Sequence, residues 1–158
     1  MAYSDDAGPE NTKSSKPGLN DCGMARAAML LGDRWTMLVV REALYGVTRF
    51  DAMKADLGLP RSVLSDRLKR LTEAGVLTKR PYREPGQRAR YQYVLTPMGV
   101  DLALPLIALM QWGDKHIRKA APAAAIVERG TGAPVSVGLI NSEGAPVPLS
   151  KAQFRVSG

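Results

Sequence analysis

The sequence predicts a mainly α fold with a small β part, on three observations. Apolar residues recur at intervals of three and four from Met24 to Leu71, the period of helices that bury one face. The period falls to two in "RYQYVLT", where Tyr91, Tyr93 and Leu95 alternate with Arg90, Gln92 and Val94, as in a strand. Helical spacing returns after Thr96-Pro97, an N-cap residue followed by proline at the first helical position, where the missing N–H costs nothing.

Residues 1–20 are rich in Ser, Asp, Gly, Pro, Asn and Lys and poor in apolar residues, so a disordered arm is expected there. In "CGMARAAMLLGDRW", Met24, Ala27, Ala28 and Leu31 mark a buried helix face that Gly32 ends. Asp33 then reads as the N-cap of a second helix, which buries Trp35, Leu38, Val39 and Ala43 and stops at Gly46. A short helix carrying Phe50, Met53 and Leu57 follows, closed by Gly58 and Pro60. The next helix starts at once. Two helices joined by a few residues containing Gly and Pro form a helix-turn-helix.

In that next helix, "LPRSVLSDRLKRLTEAG", Leu64, Leu68 and Leu71 fall at i, i+4 and i+7 and must lie on a core. Ser62, Ser65, Asp66, Lys69 and Arg70 project from the other half, with Arg61 and Arg67 at its flanks. Taken alone, this face is either simply solvated or a binding surface. Beyond Gly75, Val76–Tyr82 and Arg90–Leu95 should pair as an antiparallel hairpin about the turn "REPGQR". Its cations Lys79, Arg80, Arg83, Arg88 and Arg90 are answered in sequence only by Glu84. Charge concentrated at a projecting tip repels itself unless a partner neutralises it.

A long helix is expected from Pro97 to about residue 118, kinked at Pro105. Met98, Leu102, Leu106, Leu109, Met110 and Trp112 make it apolar on more than one side, which reads as a dimer interface or as packing over the domain's own core. "APAAA" then breaks the chain. In residues 119–158 Val135, Val137 and Leu139 alternate before the turn "NSEG", so a linker and a C-terminal β-hairpin extension of unassigned role are expected. The order describes a winged helix-turn-helix of three core helices plus a β-hairpin wing over residues 21–118, completed by a dimerisation helix at 97–118.

Composition narrows the function. Twenty-two Lys and Arg against fifteen Asp and Glu give a formal charge of +7, which suits an acidic partner such as nucleic acid or a membrane surface. No apolar run approaches a spanning helix, and the start has neither a basic n-region nor an apolar h-region, so a cytoplasmic protein without a membrane partner is expected. One cysteine and one histidine leave no intrachain disulfide and no Cys/His zinc cluster. No nucleophile–base pair or phosphate loop is present, His116 has no catalytic partner, and neither enzyme activity nor a cofactor is expected. In a winged helix-turn-helix the outward face of the second motif helix enters the major groove while the wing meets the neighbouring backbone or minor groove. The expected DNA-binding residues are therefore Arg61, Ser62, Ser65, Lys69 and Arg70 on the helix, with Lys79, Arg80, Arg83, Arg88 and Arg90 in the wing.

The segment from Cys22 to about His116 strongly resembles the HxlR family of bacterial winged-helix transcriptional regulators, relatives of the MarR group. The likeness is carried by the cysteine-then-helix opening ending in "LGDRW", the "RF" before a short helix, and "LSDRLKRLTEAG". The passage "YQYVLTPMG" and the late "WG" complete it. The resemblance implies a homodimer on an inverted-repeat operator in double-stranded DNA, repressing or activating genes in response to electrophiles, oxidants or small metabolites. It carries over Arg61, Ser62, Ser65 and Lys69 as recognition-helix residues and Arg88 and Arg90 as wing residues.

Some members of that family sense oxidants through a cysteine at the position of Cys22. A helix N-terminus and Arg26 would lower the pKa of this thiol while Asp21 opposes them; the plainer reading is a small buried residue. Without a second cysteine, oxidation needs a Cys22–Cys22 bond across a dimer, or a capped or sulfenylated thiol. Trp35, Tyr45 and Trp112 are candidates to line an effector pocket between the second helix and the dimer helix, or are core. A winged helix devoted to protein interaction, and an architectural binder indifferent to DNA sequence, are the competing functions.

Overall fold

The computed structural model describes residues 18–155. Its elements run α1 (Gly23–Leu31), α2 (Arg34–Leu44), α3 (Phe50–Leu57), α4 (Arg61–Glu73), β1 (Leu77–Tyr82), β2 (Arg90–Leu95), α5 (Pro97–Asp101), α6 (Ala103–His116), β3 (Leu139–Ile140) and β4 (Pro146–Val147). The chain divides into two compact units, residues 27–137 and the segments on either side of them. The fold is mainly helical with small antiparallel sheets, and the larger unit is a winged helix-turn-helix. Most of the arm expected at 1–20 lies outside the described residues; its last part makes a turn in which the Asp21 N–H donates to the Gly18 carbonyl at 3.0 Å.

The core of the larger unit is built from α2, α3, α4 and the root of β1. Val39, Val40, Met53, Leu64, Leu68, Leu71 and Val76 expose no surface, and Leu59 and Leu77 almost none. The three leucines predicted to face inward from α4 do so. In α2 the buried stripe is Thr36, Val39, Val40 and Ala43, turned slightly from the expected one. Trp35 and Leu38 sit half-buried at its margins. Glu42 is buried beside them and pairs with Arg41, as a buried carboxylate requires.

Between α3 and α4, Gly58 adopts φ 62°, a left-handed conformation open to glycine without strain, and its N–H closes the end of α3 on Ala55. Leu59 is buried and Pro60 precedes the first turn of α4, so the connection is short and fixed.

Strands β1 and β2 pair antiparallel from Leu77↔Leu95 to Tyr82↔Arg90, with Val76 just outside the strand. The segment entering α3 joins them. The Tyr93 N–H donates to the Thr48 carbonyl at 2.7 Å, and Arg49 bridges Gln92. The wing is thereby tied to α3 at its root.

Three expectations are corrected. Helix α1 forms as predicted, yet none of its residues is buried: Met24 and Met29 are 84% and 74% exposed, and only Leu30 and Leu31 touch the core. Periodicity foretells a helix with one apolar side, and the described residues supply nothing to cover that side of α1. The long helix expected over 97–118 is two helices, broken at Leu102. Proline lacks the N–H and its ring crowds the carbonyl four residues earlier, which for Pro105 is Asp101, so the interruption falls ahead of the proline. The C-terminal hairpin is shorter than expected, pairing Leu139↔Val147 and Ile140↔Pro146. Val135 and Val137 are not in it. The Val135 N–H donates to the Ile126 carbonyl, while the Val135 carbonyl and the Val137 N–H are both engaged by the Gln111 side-chain amide, each bond 2.9 Å.

No helix among the described residues is long and apolar enough to cross a membrane.

Candidate nucleic-acid interface

Burial of Leu64, Leu68 and Leu71 fixes the rotation of α4, so Arg61, Ser62, Ser65 and Lys69 stand exposed on its far side. The Arg61 guanidinium lies 4.9 Å over the Phe50 ring, which pre-orients it at the start of the helix. Lys69 is 72% exposed and 3.8 Å from Glu73 one turn on. Arg70 is turned the other way, donating to the Met29 carbonyl of α1. It is thus placed apart from the cluster that Arg61, Ser62, Ser65 and Lys69 form.

Arg67 is a clamp. Its Nε donates to Asp33 Oδ1 at 3.0 Å, and it also pairs with Asp66. Asp33 in turn caps α2, accepting from the backbone N–H groups of Trp35 and Thr36, both at 3.1 Å, and from the Thr36 hydroxyl. The start of α2 and the middle of α4 are therefore joined through one carboxylate. Partial burial pushes the Asp33 carboxyl up. Hydrogen bonds from the Thr36 hydroxyl, Arg67 and the Thr36 backbone, with the charge of Arg67, outweigh burial and hold it at about 2, against an ordinary 3.8. The Asp33 hydrogen bond, above all, with the charge of Asp33 and the bond and charge of Asp66, raises Arg67 above its usual value against the opposing effect of burial.

A carboxyl depressed on folding contributes stability that is complete above its unfolded pKa and is lost as pH falls through the folded one. Unfolding free energy should therefore decline between about pH 4 and pH 2 in part through Asp33. Asparagine is an equal N-cap but carries no charge to form an ion pair with Arg67. Asp33→Asn is expected to lower stability at neutral pH by about 1 kcal/mol. Urea midpoints of the two proteins measured against pH should converge near pH 2; a constant difference would refute the assignment.

In the wing, Lys79 lies 5.9 Å over the Tyr93 ring, Arg80 and Arg88 are exposed, and Arg83 Nε folds back on the Gln87 carbonyl at 3.1 Å. Arg90 Nη1 is 3.3 Å from Asp51 on α3, so Glu84 is not the wing's sole acidic partner. Glu84 itself pairs at 2.7 Å with Arg49, whose guanidinium lies 4.8 Å over Tyr82. Sequence reasoning missed Arg49 and Asp51 because they are remote in sequence from the wing; "RF" ahead of α3 was the available signal. A cleft of about 500 Å³ opens between α3, α4 and the wing, lined by Arg61, Ser65, Arg88 and Arg90 among aromatic walls. Cations and hydroxyls on one surface, with rings holding several of the cations in place, can bind a phosphodiester backbone and reach base edges.

A second cavity, of about 550 Å³ and almost wholly apolar, lies between α2 and α6. Tyr45 lines it with Met37, Leu38, Leu106 and Met110. Trp35 and Trp112, candidates either for its lining or for the core, are not among its lining residues. Trp35 points to the core side of α2, and Trp112 is on the exposed side of α6 with its ring 5.6 Å from that of His116. Cys22 is half-buried just ahead of α1, its carbonyl accepting from the Arg26 N–H at 3.0 Å.

Comparison with known proteins agrees with this geometry. The model of the HxlR-like helix-turn-helix family matches residues 30–121. An uncharacterized HTH-type transcriptional regulator of Mycobacterium tuberculosis, Rv3095, is 44% identical over 94 residues, 60% of this chain; the match spans 58% of that relative's length. The solved structure of PA1607, a candidate transcription factor, superposes with a TM-score of 0.74 at 33% identity, covering 86% of this chain and 95% of that one. That of PA1374 from Pseudomonas aeruginosa, another candidate transcription factor, gives 0.60 at 35% identity, covering 86% and 92%. Both likenesses take in more of the chain than residues 30–121.

Proposed function

Because the chain belongs to the HxlR-like helix-turn-helix family of transcriptional regulators, which are not enzymes, we propose that it binds an inverted-repeat operator in double-stranded DNA as a homodimer. Helix α4 enters the major groove and the wing contacts the flanking backbone. The observation that carries this reading is the exposed face of α4, with Arg61, Ser62, Ser65 and Lys69 beside Arg88 of the wing, which is exposed and has no ion pair among the described residues. Dimerisation is supported by α6, which buries none of its residues and, with its C-cap Ile117, leaves Leu104, Leu109, Trp112 and Ile117 between 49% and 68% exposed. Two-fold symmetry then sets half-sites about 34–36 Å apart, one helical turn of DNA. Occupancy of the operator responds to an oxidant, an electrophile or a small metabolite, received at Cys22 or in the α2–α6 cavity beside Tyr45. Electrophile-driven release from DNA that survives Cys22→Ser would exclude the thiol.

The test separates base readout from backbone contact. Alanine at Ser62, Ser65 or Lys69 should reduce the preference for operator over unrelated duplex by about 1 kcal/mol each. Arg88→Ala should weaken both duplexes alike and lower the salt dependence of binding. Fluorescence anisotropy titrations on both duplexes measure this. Equal effects from the two groups would favour an architectural binder, and no binding to any duplex a protein-interaction module.

A further inference from the structure

Two ion pairs cross between α3 and the wing. Arg49, which precedes α3, reaches Glu84 of the wing, while Arg90 of the wing reaches Asp51 in the first turn of α3. The second pair lies in the cleft between α3, α4 and the wing, where Arg61 and Arg88 also stand. Among the described residues neither of those two arginines is paired with a carboxylate. The cleft thus presents three guanidinium groups and a single acid, Asp51.

We propose that Asp51 occupies the place of a DNA phosphate, holding Arg90 in the free protein and yielding it when duplex DNA enters the cleft, so that Asp51 limits the affinity of the interface. This rests on the DNA-binding reading above. A carboxylate and a phosphate offer a guanidinium the same acceptor oxygens. Arg90 and Asp51 are 56% and 69% exposed, and an ion pair that open to solvent is weak enough to be exchanged. A position in the first turn also suits an acid to the helix dipole, so stabilisation of α3 alone is the competing explanation for Asp51. The two differ in one respect. A residue that only stabilises α3 does not act on DNA through Arg90.

The experiment is a double-mutant cycle on the full chain, titrating a labelled duplex of mixed sequence at about 0.05 M salt. Asp51→Asn should tighten binding by about threefold to fivefold. Arg90→Gln should weaken it and reduce the salt slope by about 0.9. In the Arg90→Gln background, Asp51→Asn should give no further gain. Asp56→Asn, on the same helix and without an ion pair among the described residues, reports the effect of added charge alone and should give less. Unfolding midpoints of each variant, measured alongside, exclude loss of fold as the cause. An equal gain in both backgrounds, a gain no larger than that of Asp56→Asn, or an Arg90→Gln variant that binds as the parent does would overturn the proposal. Failure of the parent chain itself to bind duplex would instead overturn the DNA-binding reading.

Discussion

Leu68→Ala lowers the unfolding free energy by about 2–5 kcal/mol. Leu68 exposes no surface and is the middle one of the three leucines through which α4 sits on the core. Truncation removes its transfer free energy and leaves a cavity that Leu64, Leu71, Met53 and Val39, themselves fully buried, have little freedom to fill. A domain of this size has about 5–15 kcal/mol in total, so the loss is a large share. Because Arg67 and Lys69 flank Leu68 in sequence, the same collapse loosens both the clamp on Asp33 and the outward face. Ser65→Ala, one turn away on that outward face, should change stability by less than about 0.5 kcal/mol. Urea unfolding followed by circular dichroism, at one protein concentration for all variants, decides the matter. Similar midpoints for the two substitutions would mean that α4 is not seated as described.

Gly99→Ala should cost about 2–3 kcal/mol, for the opposite reason. A Cβ at Gly99 would lie 2.2 Å from the Val76 carbonyl oxygen and 2.9 Å from Leu95 Cδ2. That carbonyl cannot yield easily. It accepts from the Thr96 N–H at 3.1 Å, while the Thr96 hydroxyl donates to the adjoining Gly75 carbonyl at 2.5 Å and caps α5 by accepting from the Gly99 N–H at 3.1 Å. Backbone of two elements and a hydrogen-bonded cap therefore meet where the methyl group would stand, and the root of the wing must part from the start of α5. This gives the glycine of "YQYVLTPMG" a physical reason: only a residue without a Cβ lets α5 leave the wing so closely. Thermal unfolding of Gly99→Ala showing an unchanged midpoint would contradict the packing described.

Much of the winged helix-turn-helix unit was legible in the sequence because its signals are local. The 3.6-residue spacing of Leu64, Leu68 and Leu71 fixes which side of α4 is free, and the switch to period two at Tyr91–Leu95 marks the wing. Asp33 announces itself as a cap by its place before Arg34. Its bond to Arg67 does not, since the two are joined only by tertiary packing. The crossed pairs Arg49–Glu84 and Asp51–Arg90 escape sequence reading likewise. Pro105 signalled the interruption of the long helix, but the ring acts on the turn before it, which moved the break to Leu102. Residue type leaves Trp35 and Trp112 open between pocket and core; Trp35 packs on the core, and the helix faces that line the α2–α6 cavity are those of Leu38 and Leu106. In the extension, alternation of Val135 and Val137 mimicked a longer strand, whereas these residues bond to the Ile126 carbonyl and to the Gln111 side-chain amide.

The central claim is that the exposed face of α4 and the wing together read a DNA sequence. Recovery and sequencing of genomic fragments bound by the purified protein, at about 0.15 M salt, tests it most directly. Enrichment of one inverted repeat, with half-sites about one helical turn apart, is expected. Recovery without sequence preference that disappears on addition of salt, or no recovery at all, would contradict it.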